Sequence, residues 1–380
     1  MALVRGHILN PWHAQNYEPL QEEFEILAVG ARFGLFSTSS VGLPRRHLVN
    51  LSGFQIPGFL RWLRNYVGRD FLFGLDRALQ GSALVHAVDT ASGFSAQCAR
   101  WCARHGVPLV LTIWENIPFV HEEVPRLRLQ KERVRRAGDL FLAATPRAAK
   151  TLLLEGVEPR KIRVVRPGVD LDRFRPQPPD PALKARLGVP PEATVILFAG
   201  RLVPDKGVQT LVQAFGWLVR QERLPGRDLH LVLVGAGPVR DQVLYEARHM
   251  GLEGRLHLAG GVPYDQLPAL HNLADVFVLP SVPMPTWQEQ YGMVLAEAMG
   301  CGRPVIGADS GSIAEVVGEA GVLVPPADPF ALARELERLL AEPGLRQDLG
   351  ARARAWAEEH MDRRRTAALI AEAWRELMAR

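Results

Sequence analysis

The chain has 380 residues, of which 47% are hydrophobic and 23% charged, with a formal net charge of +4. These are ordinary globular values that exclude a disordered or fibrous chain, and the length allows two domains that need no disulfide staples. No run approaches 18 consecutive apolar residues and no signal-peptide pattern opens the chain, so a cytoplasmic protein is expected.

Short apolar runs alternate with amphipathic stretches. In the first half, GHILNPW, FEILAVGA, HLVNLSG, ALVHAVD, PLVLTIW and DLFLAA read as strands. After the first of them comes a loop, NPWHAQNYEPL, that carries His13, Gln15 and Asn16. The stretch Phe54 to Leu75 mixes large apolar residues with Arg61, Arg64 and Arg69. It is a candidate for peripheral contact with the inner face of a membrane, although an amphipathic helix packed on a sheet gives the same pattern. His86 and Asp89 close one strand and Glu115 follows another. Cys98 and Cys102 lie one helical turn apart and, with Cys301, make an odd number without zinc or redox spacing; buried thiols are expected. The run RLRLQKERVRR, Arg126 to Arg136, reads as the solvated face of a helix rather than a nucleic-acid or lipid site.

Residues 166 to 181, RPGVDLDRFRPQPPDP, hold five prolines in sixteen positions and cannot continue a helix or central strand; they form the linker. Beyond it TVILFAG, LHLVLVG, LHLAG, VFVLPS, PVIGAD and GVLV repeat the strand series, and residues from about 329 to 380 read as helices. Strands separated by helices imply an α/β chain of two Rossmann-like domains facing across a cleft. The expected boundaries are 1–168, joined by a C-terminal helix at 362–380, and 169–361. After TVILFAG, the glycine-bounded loop GRLVPDKG offers Arg201 and Lys206 as counter-charge for a diphosphate. In EQYGMVLAEAMG a helix starts near Tyr291. The backbone N–H groups of Gly292, Met293 and Val294 suit a phosphate, and Glu289 and Glu297 flank them as acceptors for sugar hydroxyls. That spacing fits a nucleotide sugar.

The co-occurrence of two glutamates separated by seven residues, an Arg/Lys pair and the strand LVLVGAGP resembles the retaining glycosyltransferases of the GT-B fold, in the group called family four. The resemblance covers most of the C-terminal half. It implies transfer of a hexose from a UDP- or GDP-sugar to a glycan, lipid or small-molecule acceptor, with retained anomeric configuration. It also implies that Val262 lies against the nucleobase, Glu297 on the ribose, and Gly311 and Ser312 in a loop that approaches the donor. Glu289, Arg201 and Lys206 are the expected catalytic set, with His86 and Glu115 as further candidates. The alternatives are a catalytically silent nucleotide-sugar-binding relative, or a GT-B epimerase or phosphorylase.

Asp170-Leu171-Asp172 has the spacing of a metal-binding DxD signature but follows RPGV as the family's domain connection does, and is read as structural. No cofactor and no metal are expected, nor is nucleic acid a partner. Two departures stand in the N-terminal half. NPWHAQNYEPL replaces the adjacent glycines that family members often carry, and Trp114 stands where many relatives place a histidine that contacts the transferred sugar. The front-face reaction implied by the resemblance lets the donor's own phosphate take the acceptor proton, so transfer is expected without that histidine.

Overall fold

A computed structural model describes residues 1–50 and 70–379, which leaves the 54–69 part of the candidate membrane stretch outside the described residues. The chain divides into two compact units, 1–168 with 363–380, and 169–362. Among the described residues no helix is long and apolar enough to cross a membrane.

In the N-terminal unit, β1 (Ala2–Gly6), β2 (Leu27–Ala31), β3 (Arg45–Leu48), β4 (Val85–Val88), β5 (Leu109–Ile113), β6 (Leu140–Ala143) and β7 (Ile162–Val164) form a parallel sheet ordered 3-2-1-4-5-6-7. Its central strands are buried along their whole length, as helices on both faces require. The first strand differs from expectation: it is ALVRG, ending at Gly6, and not GHILNPW. Arg5, only 3% exposed, is tolerated inside it because one guanidinium nitrogen donates to the Ala87 carbonyl at 2.9 Å and another to the Tyr17 hydroxyl. The chain then turns into a short helix, Pro11–Ala14, capped by Asn10, whose side chain accepts from the His13 N–H.

The second unit repeats the plan. β8 (Thr194–Ala199), β9 (Leu229–Val234), β10 (Leu256–Gly260), β11 (Val276–Leu279), β12 (Val305–Ala308) and β13 (Val322–Val324) are ordered 10-9-8-11-12-13. Both sheets reverse their winding direction, between β1 and β4 and between β8 and β11. At such a switch point the connecting loops diverge and leave a crevice at the carboxyl ends of the strands.

The C-terminal helix Arg363–Met378 returns to the first unit, as expected, because its apolar stripe matches that core. Ala367, Ile370, Ala371, Trp374 and Leu377 pack among Leu20, Phe24 and Ile26. The linker aspartate Asp170 uses Oδ1 to accept the backbone N–H groups of Asp172 and Arg173, each at 3.1 Å, an Asx turn. All three cysteines are buried and free, and burial pushes the Cys102 and Cys301 thiols up to about 12, so they are unreactive packing groups.

Candidate active site

The C-terminal unit gathers most of the residues singled out in the sequence at the carboxyl edge of its sheet. Lys206 sits in the turn after β8. Its Nζ lies 2.5 Å from Glu289 Oε2, which also accepts from Ser281 Oγ, just past β11, at 2.8 Å. The strand order therefore brings Lys206, 83 positions before Glu289, onto the carboxylate that Ser281, 8 positions before it, also holds at the switch point. Glu289 is 5% exposed, and a carboxylate so enclosed is tolerable only with such partners. Trp287 lends its ring face to the Lys206 ammonium, 4.8 Å from the centroid. The proline-rich PSVPMPTW forms a tight turn closed by Met284 and Trp287, and this delivers Trp287 there.

Gly292, at φ 84°, starts the helix Met293–Gly300 and offers no side chain of its own to cap it, while Met293 and Val294 stay half-buried. Arg201, at the end of β8, extends into solvent with 61% of its side chain exposed and Asp205 3.8 Å away. Val262 follows the end of β10. Glu297 lies deeper, 2% exposed, with His271 Nε2 3.4 Å from Oε2 and His271 Nδ1 buried without a partner among the described residues. Gly311 and Ser312 seat on the Glu289 backbone: the Ser312 N–H donates to the Glu289 carbonyl at 2.9 Å. Gly311 takes φ +59°, and a Cβ there would collide with that same carbonyl.

In the N-terminal unit, the edge between β4 and β5 is polar and enclosed. Asp89, at φ 52°, accepts the Trp114 N–H at 2.7 Å and the Glu115 N–H at 3.3 Å on one oxygen. Burial, and then the Glu115 carboxylate, push its pKa up to about 7.

Two family models divide the chain: Glycosyltransferase Family 4 matches residues 25–173 and Glycosyl transferases group 1 matches residues 180–356. The chain belongs to glycosyltransferase family four. Its curated relatives include the D-inositol 3-phosphate glycosyltransferases of Streptomyces bingchenggensis and Xylanimonas cellulosilytica. The first is 38% identical over 233 residues, 60% of this chain and 51% of that protein. The second is 37% identical over 279 residues, 68% of this chain and 64% of that protein. The chain thus spans about half to two thirds of the length of these relatives. Among solved structures, Anabaena HepE in complex with UDP-glucose has a TM-score of 0.78 at 20% identity, covering 99% of this chain and 100% of that one. Sucrose-phosphate synthase from Thermosynechococcus elongatus has a TM-score of 0.77 at 20% identity, covering 100% and 99%. At this identity the two structures share the fold alone.

Two candidates of the family-four chain are corrected by the geometry. His86 is fully buried, and both ring nitrogens are occupied. Trp374 Nε1–H, which can only donate, reaches Nδ1 at 3.2 Å, so Nε2 carries the proton and donates to Thr112 Oγ1 at 2.8 Å. Burial and then Arg5 hold its pKa well below the usual value, so His86 is a neutral interior group that ties the C-terminal helix to the sheet. Glu115 is not a sugar ligand in this arrangement. It accepts from Thr90 Oγ1 at 2.8 Å and lies 3.7 Å from Lys131 Nζ.

That lysine corrects the basic run as well. Its side chain is fully buried, within 3.6 Å of Glu122 and 3.0 Å of Glu155, while Arg135 reaches both glutamates at 2.8 Å. The run is a solvated face only at Arg126, Arg128, Arg133 and Arg136. Ser281, Trp287, His271 and Asp89 complete the picture without having been selected as site residues. For Ser281 a signal existed, since it directly follows the strand VFVLP at a predicted carboxyl end.

The Gly311 seat gives a first prediction. Gly311→Ala should cost about 1–3 kcal/mol through positive-φ strain and the forced shift of Glu289, read as a lowered melting temperature together with weakened nucleotide binding.

Proposed function

We propose that this glycosyltransferase moves a hexose from a UDP-sugar, held at the carboxyl edge of the C-terminal sheet, to a hydroxyl acceptor held by the N-terminal unit, with retention and without a metal. The observation that carries this reading is the Lys206–Glu289–Ser281 cluster at the β8/β11 switch point, beside the helix start at Gly292. The diphosphate takes the N–H groups of Met293 and Val294 and the charge of Lys206 and Arg201; Glu289 accepts from hydroxyls of the transferred sugar. Glu297 serves the ribose and Val262 the base. In the reaction the C1–O bond to phosphate breaks, the acceptor oxygen bonds to C1 on the same face, and its proton passes to the departing phosphate oxygen. The cations supply what a metal ion supplies in other transferases, charge opposite the developing anion.

UDP is favoured as the nucleotide because HepE, of like fold, has been solved with UDP, with UDP and glucose, and with UDP-glucose. D-inositol 3-phosphate, which the curated relatives carry in their names, is the first acceptor to try, ahead of glycans and lipid-linked sugars. The test is a thermal-shift panel of UDP- and GDP-sugars followed by NMR of the product in the presence of a chelator. Stabilisation by a UDP-sugar, chelator-resistant UDP release and a product with the donor's anomeric configuration support the proposal. Stabilisation without transfer to any acceptor indicates the silent relative, and an inverted product sinks the retaining assignment.

A further inference from the structure

His271 closes the short helix Leu267–His271, and its ring meets Glu297 in the middle of the helix Met293–Gly300. The backbone that carries it is pinned to the linker. Asn272, next in the chain, donates Nδ2–H to the Arg175 carbonyl at 3.0 Å, and its Oδ1 accepts from the Gln177 N–H at 3.0 Å and from Arg303 Nη2 at 3.1 Å. The ring is 1% exposed and packed between aromatics, with the Phe174 centroid at 5.9 Å and the Phe277 centroid at 5.2 Å. It has little room to turn.

Glu297 Oε2, 3.4 Å from Nε2, can only accept, so the ring proton facing it sits on Nε2. Nδ1 is buried with no partner among the described residues. An orphaned nitrogen in an apolar pocket is destabilising, and a phenylalanine would fill the same space without it. What the imidazole adds is one donor, and that donor meets the carboxylate. Among the described residues it is the sole hydrogen-bond partner of the Glu297 carboxylate, which leaves Oε1 without one. Glu297 stands four residues past Met293, about 6 Å along the helix axis from the amides offered to the diphosphate. A glutamate side chain has several torsions to order, and a donor held on one oxygen fixes where the other points.

We propose that His271 is a positioning residue for the nucleotide: its Nε2–H holds Glu297 Oε2 so that Oε1 is presented to the ribose hydroxyls. The inference rests on the donor reading above, in which Glu297 serves the ribose, and deepens it by naming the group that orients this carboxylate. His271 acts through Glu297 and does not itself touch the ligand. Its removal therefore weakens the ribose contact and spares those to the diphosphate and the base.

The experiment measures the affinities of UDP and of 2′,3′-dideoxy-UDP, which lacks both ribose hydroxyls, by calorimetry for wild type, His271→Phe and His271→Gln. Wild type should prefer UDP by about tenfold to a hundredfold, the usual weight of a hydrogen bond to a charged group. His271→Phe fills the pocket and removes the donor. It should lose most of that preference, through weaker UDP binding with dideoxy-UDP affinity near wild type, and His271→Gln, which restores an N–H at similar reach, should recover most of it. A merely structural role would weaken both nucleotides together and leave their ratio in place. In wild type labelled with ¹⁵N-histidine, the His271 Nε2–H resonance should move with UDP and hold its place with dideoxy-UDP, a readout that depends on neither variant folding. Undiminished discrimination in His271→Phe, no recovery in His271→Gln, or a His271 resonance indifferent to UDP would overturn the positioning role while Glu297 keeps the ribose. Equal affinity of wild type for the two nucleotides would instead overturn the ribose assignment, and no UDP binding at all the donor reading; this inference would fall with either.

Discussion

Lys206→Ala is expected to lower UDP-sugar turnover by about a hundredfold or more, the usual cost of losing one preorganised donor aimed at developing charge. Two losses combine. The departing diphosphate loses its nearest cation, and Glu289 loses its 2.5 Å partner, keeping Ser281 at 2.8 Å. A carboxylate without its cation repels the phosphates it borders, so UDP affinity should fall too. Glu289→Gln separates the two effects, because it removes the negative charge while preserving shape. If Glu289 receives the sugar's hydroxyls, Glu289→Gln should retain UDP affinity and lose turnover. Steady-state kinetics paired with UDP calorimetry on both variants checks this, and wild-type turnover in Lys206→Ala would refute the role.

The second large effect concerns stability. Lys131→Met should cost about 3–5 kcal/mol, because breaking a buried pair leaves carboxylates charged and enclosed. For a unit of this size that is a fall of roughly 6–20 °C in melting temperature. The side chain of Lys131 is fully buried and serves Glu115, Glu122, Glu155 and the Val120 carbonyl at 3.0 to 3.7 Å. Arg135 retains Glu122 and Glu155, which places the cost at the lower end of that range. Adding Glu115→Gln to Lys131→Met should recover part of the loss, since Glu115, which Arg135 does not reach, is the charge left stranded. A loss below 1 kcal/mol in the single variant, measured by chemical denaturation, would mean that the network is wet and exposed.

What the chain made legible depended on whether the signal was local. Glu289, Gly292 and Glu297 lie on one short segment, and Arg201 and Lys206 in one turn, so spacing alone exposed them. The α/β alternation was equally plain, since β4, β5, β6, β9 and β11 are largely apolar runs buried along their length. β1 was displaced because Arg5 interrupts its apolar run, and Arg5 is acceptable only through Tyr17 and Ala87, 12 and 82 residues away. β7 was missed because IRV is three residues long and partly exposed.

The misreadings of His86 as a site residue and of Lys131 as part of a solvated face share one cause. His86 is claimed by Trp374, 288 positions later, and Lys131 by Glu155, 24 positions later; neither pairing leaves a periodic trace. Charge on a helix is usually solvated, and the tertiary burial of Lys131 overrode that rule. His13 was visible as a residue in a loop, yet its stack on Trp114 joins positions 101 apart and needed coordinates.

The central claim is that the nucleotide sits at the β8/β11 edge. Amide hydrogen exchange with and without saturating UDP tests it without any mutation. Protection should appear in residues 200–207, 281–297 and 311–312, with the interior strands of the N-terminal sheet unchanged. Protection confined to the N-terminal unit, or none in these three segments while UDP is bound, would contradict it.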